Sequence, residues 1–194
     1  MFEACFCHLF RDYRPPSGSR EAPFLNGKLI GEKPTGREQQ CKATFTVPYA
    51  PGTLKAVGVR GDRSVAESIL TTAGEPARVR LTADRRSLRA DGQDLSFVTV
   101  ETLDAEGRFQ PNADREVQFS ISGPGAIAAV GNGDGRDGAP YQGDRRKLFQ
   151  GRALAVMRAS KQSGSIQLTA AIPGLGSGVV TIQAKQSAPR PELR

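Results

Sequence analysis

Between Phe24 and Ala184 short runs with apolar side chains at every second position are separated by turns, and no stretch carries the 3.6-residue period of a helix. Leu95 to Leu103 shows the pattern most clearly: Leu95, Phe97, Thr99 and Glu101 point one way, and Val98, Val100 and Thr102 the other. Ala43, Phe45 and Val47 alternate with threonines until Pro48 ends the run. Val79, Leu81 and Ala83, then Val117, Phe119 and Ile121, then Ile166, Leu168 and Ala170, then Val180, Ile182 and Ala184 repeat it. Such a chain buries one face of each strand and turns back. Its 22 Gly and 13 Pro supply the turns.

Asn26-Gly27 between apolar residues predicts a type I′ hairpin, whose two central positions need positive φ. Strands are expected at Leu54 to Val59 and Val65 to Thr71, and a new register begins after Gly74-Glu75-Pro76. The organisation predicted is an irregular segment 1–23, a partial sandwich 24–75, a seven-stranded sandwich 76–184 and a flexible tail 185–194. The fold class is all-β: two consecutive immunoglobulin-like antiparallel β-sandwiches, the first incomplete. The Cys–Trp–Cys set of antibody domains is absent, so only the architecture is implied.

Composition narrows the chemistry. One His and no Trp leave little for Ser-His-Asp catalysis or for stacking sugars. The single His8 sits in the least patterned part of the chain, and no Glu pair declares itself as a glycosidase acid and nucleophile; Glu101 and Glu116 read as cross-strand charge partners. Cys5, Cys7 and His8 fall short of the four ligands of a closed zinc site, and Cys41 is distant, so neither a metal nor a disulfide framework is expected. No cofactor is expected. The net charge of +7 is spread along the chain, and the basic knots Arg85-Arg86 and Arg145-Arg146-Lys147 have aspartates beside them, which argues against a nucleic-acid partner. No apolar run approaches the ~20 residues of a membrane helix, and no export signal is visible at the N-terminus.

The longest loop, residues 131–147, holds the only candidate ligand site. Gly131-Asn132-Gly133-Asp134-Gly135 lacks the Lys-Ser or Lys-Thr pair of a phosphate loop. Asp134 and Asp137 could hold a cation through oxygen ligands, without the EF-hand spacing, or form Asx turns on their own backbone. Tyr141 is the best-placed aromatic for stacking a sugar.

Several strings resemble glycoside hydrolase family 2, the β-galactosidase type. Phe24-Leu25-Asn26-Gly27-Lys28, the run Val47 to Ala56 and Thr72-Ala73-Gly74-Glu75-Pro76 resemble the accessory sandwich that follows the catalytic barrel. Leu81 to Arg85, Asp91 to Glu101, Val130 to Asp134 and Asp144-Arg145-Arg146-Lys147 resemble the next, C-terminal Ig-like domain. The resemblance implies a parent hydrolase, often periplasmic or extracellular in bacteria, whose catalytic glutamates lie in an upstream barrel. No Glu here matches a catalytic motif, so no catalytic residue is carried over. The expected role is a non-catalytic accessory module partnered by that barrel; the alternative is an autonomous carbohydrate-binding or adhesion module. Residues 1–23 depart from the family, where a strand or two of the first sandwich is expected, and a truncated gene, an alternative start or a frame change would explain the departure.

Overall fold

Asn26 and Gly27 both take positive φ, 50° and 80°, and close the hairpin between β2 (Ser19–Leu25) and β3 (Lys28–Leu29). The Asn26 side chain also fastens the next turn. Its Oδ1 accepts from the Thr53 amide at 2.8 Å, and its Nδ2 donates to the Pro51 carbonyl at 3.0 Å. At Gly52, φ 130°, a Cβ would fall 1.9 Å from Asn26 Oδ1 and displace the side chain that holds this turn.

The computed structural model describes residues 2–5 and 19–186, with no helix among them. Two compact units divide the chain between Thr72 and Ala73. The first contains β1 (Phe2–Cys5), β2, β3, β4 (Lys33–Pro34), β5 (Thr44–Val47), β6 (Thr53–Arg60) and β7 (Arg63–Thr71). One sheet runs β3-β2-β6-β7, with β4 also on β2, and β1 pairs with β5 in a two-stranded layer. Its core gathers Ala43, Phe45, Val47 and Ala56, with Leu25, Ile30 and Leu54 against them. Alternation in β5 achieves this: Phe45 and Val47 are buried while Thr44 and Thr46 are exposed.

The first 23 residues are not wholly irregular. β1 pairs from Phe2–Val47 to Cys5–Thr44, and β2 reaches back to Ser19. The period is hidden in β2 because its inward positions include Ser19 and Glu21, only 1% and 4% exposed, where a pattern search expects apolar residues. Cys7, His8 and Tyr13 lie outside the described residues.

The second unit is a two-sheet sandwich. β12 (Gly125–Gly131), β14 (Arg152–Ala159), β10 (Leu95–Leu103) and β8 (Arg78–Ala83) form one sheet in that order. β13 (Arg145–Lys147), β11 (Glu116–Ser122), β15 (Gly164–Ile172), β16 (Gly176–Lys185) and β9 (Ser87–Arg89) form the other. Val98 and Val100 from the first sheet meet Val117, Ile166, Leu168 and Ile182 from the second, all fully buried. Each such side chain contributes about 2 kcal/mol by leaving water. Nine strands replace the seven expected. The two additional ones, β9 and β13, have three residues each, too few to display a period. β9 runs parallel to β16, whereas the other pairs of the unit are antiparallel.

The backbone after the division is tied to the second unit. Gly74 donates its amide to Asp104 Oδ2 at 2.9 Å, and its carbonyl accepts from Gln110 Nε2 at 2.6 Å. Asp104 is fully buried, and it also accepts from the Arg108 amide at 2.7 Å.

Candidate functional site

The loop between β12 and β13 is organised around Arg146, the middle residue of β13. Alternation along this three-residue strand turns Arg146 inward, and its side chain is 2% exposed. A buried guanidinium must spend its donors on fixed acceptors. Its Nη1 donates to Asp137 Oδ2 at 2.9 Å, and its Nη2 donates to the carbonyls of Val130 at 3.0 Å and Pro140 at 2.8 Å. Only Nε is left without a partner.

Asp137 is the counterpart. Its Oδ1 accepts from the Ala139 amide at 2.9 Å, and Oδ2 also accepts from Asn132 Nδ2 at 2.8 Å. The Ala139 amide first, then the Arg146 guanidinium and the Asn132 amide, outweigh burial and hold the carboxyl below the usual range. Asp134 folds onto its own loop: Oδ1 accepts from the Arg136 backbone amide and Nε, both at 3.0 Å, and Oδ2 accepts from Nη2 at 3.2 Å. That guanidinium, together with the backbone amide, keeps Asp134 ionised to lower pH than usual. Both aspartates thus make the Asx turns anticipated for them, and their oxygens already face internal donors. Among the described residues no group of three or more His, Cys, Asp or Glu is arranged to hold a metal.

Asp134 and Asp137 share an open depression of about 270 Å³ with Asn132, Asp114 and Lys147. Tyr141 is not on its wall. The ring lies beside Gly131, with the Arg146 guanidinium 5.4 Å from its centroid, and the residue is 64% exposed. The three candidates therefore split: two carboxylates line the depression, while the aromatic stands at the border of a sheet face. Arg146 was legible only as part of a charged triplet. Its burial has no sequence signal beyond its place between two exposed residues of a strand.

A second charge constellation lies on β10. Glu101 stands opposite Arg80 of β8 and Arg152 of β14, and accepts from Arg80 Nη2 at 2.7 Å and from Arg152 Nε at 3.1 Å. Burial pushes its carboxyl up, but the two arginines more than offset this and keep it low. The cross-strand role expected for it is the one it plays.

Residues 79–181 match the family described as glycoside hydrolase family 2 C-terminal domain 5. The chain belongs to that family. Residues 22–66, in the first unit, match a domain of unknown function, DUF4982. A β-galactosidase, BoGH2A, of Bacteroides ovatus is 40% identical over 163 residues, covering 84% of this chain and 19% of the relative. A β-glucuronidase of Formosa agariphila is 30% identical over 165 residues, covering 83% and 16%. A family 2 glycosyl hydrolase from Bacteroides cellulosilyticus superposes with a TM-score of 0.80 at 35% identity, over 87% of this chain and 22% of that one. The chain spans about a fifth of the length of the curated relatives it matches. It corresponds to a small C-terminal part of family 2 glycosidases and is an accessory domain region of such enzymes.

Proposed function

We propose that this chain does no hydrolysis itself and serves as a structural module for the barrel of a β-galactosidase-like glycosidase, held against it or spacing it from other domains. Two carboxyl groups must flank a scissile glycosidic bond, and the acid partner must keep its proton near neutrality. The observation that carries the proposal is the state of the carboxylates. Glu101, Asp134 and Asp137 are each held by arginine with their carboxyls below the usual range, so none suits a general acid. Glu21 has its carboxyl pushed upward by burial, but at 4% exposure it is out of reach of a glycan. The test is incubation of the pure chain with chromogenic β-galactosides and β-glucuronides across pH. The expected rate equals that of buffer, and reproducible turnover would overturn the proposal.

A carbohydrate-binding role is the second reading, supported by the exposure of Tyr141. Calorimetric titration with millimolar monosaccharides and oligosaccharides tests it. Heat that disappears in Tyr141→Ala would establish it, and a flat titration would remove it.

A further inference from the structure

The two outer faces of the second unit differ in chemistry. On the β13-β11-β15-β16-β9 sheet, Gln118, Ser120, Gln167, Thr181 and Gln183 face water, with Val179 as a single large apolar side chain among them. This is an ordinary solvated sheet surface. On the β12-β14-β10-β8 sheet the register places apolar groups side by side. Ala129, Val156 and Phe97 form one row across three strands, and in the next Leu154 is the one large apolar side chain, between Gly131 and Thr99. Phe97 is 44% exposed although it occupies a central strand. Tyr141 extends the apolar strip past Gly131 at the sheet's edge.

Charge surrounds this strip with arginine in excess, and Asp84, which accepts from the Phe97 amide at 2.8 Å, has the Arg85 guanidinium beside it. Arg158 stands opposite Leu95 at one end, and Arg80 and Arg152 stand at the other. Glu101 lies between the last two and is consumed by them. Arg78 and Arg158 have no ion-pair partner among the described residues. An apolar centre within a charged rim is the anatomy of a protein interface. The rim selects the partner's charge, because desolvating arginine against like charge is costly.

We propose that this sheet face seats the chain on an acidic, apolar-centred surface of the upstream part of its own glycosidase. The inference rests on the accessory-module reading above, and the chemistry of the face chooses among occupants. A second copy of the chain would set one arginine rim against another. A glycan would find aliphatic Leu154 and Val156 in the middle of the strip, where stacking needs aromatic rings. A carboxylate-rich protein surface with exposed apolar side chains satisfies both the centre and the rim.

The experiment is hydroxyl-radical footprinting of the 194-residue chain alone and of a chimera in which it replaces the matching fifth of the Bacteroides ovatus β-galactosidase. Retained hydrolysis of a chromogenic galactoside shows that the chimera is folded. Oxidation of Phe97, Leu154 and Val156 is expected to fall about fivefold in the chimera, as for side chains at a dry interface centre. Val179 on the opposite sheet keeps its labelling. Phe97→Asp is expected to restore labelling of Leu154 and Val156 in the chimera, and the melting curve of the same variant in the free chain reports any folding defect. Protection that moves to Val179 or to the first unit overturns the assignment of this face and leaves the accessory reading intact. Absence of protection anywhere in the chain overturns this inference and, of the accessory reading, leaves only the spacer role. Protection in the free chain that rises with its own concentration, or with added polygalacturonate, overturns it in favour of a second copy or an acidic glycan.

Discussion

The Arg146 guanidinium meets the Asp137 carboxylate at 2.9 Å from a position where only 2% of the Arg146 side chain reaches solvent. Nη2 holds the carbonyls of Val130 and Pro140, so one side chain closes the loop onto the edge of β12. Arg146→Ala therefore strands several buried acceptors together, and a loss of about 3 kcal/mol is expected. Arg146→Lys rescues little, since a point ammonium cannot span the same acceptors. Urea unfolding of the second unit's signal measures both.

The shifted carboxyls of the two units couple to acid in opposite directions. In the second unit the carboxyls of Asp137, Asp134 and Glu101 are held below their usual range. Their contribution is present above the unfolded carboxylate values of about 4 and is lost as pH falls through the lower folded values. In the first unit burial raises the Glu21 carboxyl, whose Oε2 has no hydrogen-bond partner. The contribution of Glu21 is full below about pH 4.3 and is lost as pH rises through its higher folded value. Melting between pH 3 and pH 7 is expected to show one transition weakening in acid and one strengthening. Glu21→Gln should flatten only the latter, and an unchanged slope would refute the assignment.

Gly123 takes φ of +89°, and a Cβ there would lie 2.1 Å from the Ser165 carbonyl oxygen. Backbone cannot yield as a flexible side chain can. Gly123→Ala is expected to cost upwards of about 2 kcal/mol, seen as a lower denaturation midpoint of the second unit.

Glu101→Gln provides the contrast. The Arg80 and Arg152 side chains that hold Glu101 are about half exposed, and water screens them. The expected loss is about 1 kcal/mol or less, and it should shrink further in high salt. A loss as large as that of Arg146→Ala would mean that the pairs are far drier than their exposure indicates.

What the sequence disclosed depended on whether a strand's inward residues are apolar. β10 was legible to its ends because Val98, Val100 and Thr102 alternate with outward residues over nine positions. Asn26-Gly27 was legible because few residue pairs tolerate positive φ twice in succession. The early part of β2 was not, since Ser19 and Glu21 occupy inward positions and look like loop. β13 was hidden because three residues are too few to show a period, and with it the role of Arg146. At the candidate site, Asp134, Asp137 and Tyr141 were visible as residue types, but the partners of the aspartates arise from chain reversals that no local pattern encodes. Buried polar groups defeat hydrophobic periodicity, and here they are also what shapes the loop.

The bonds from Gly74 to Asp104 and Gln110 bear on how the chain is to be dissected. Cutting the gene at Pro76, where the new register starts, would deprive Asp104 of the Gly74 amide while the Arg108 amide still holds it. A fragment opening at Ala73 keeps both donors. A protease probing for the joint will likewise find the peptide at Gly74 already pinned at both its amide and its carbonyl, and so a poor fit to an extended substrate cleft.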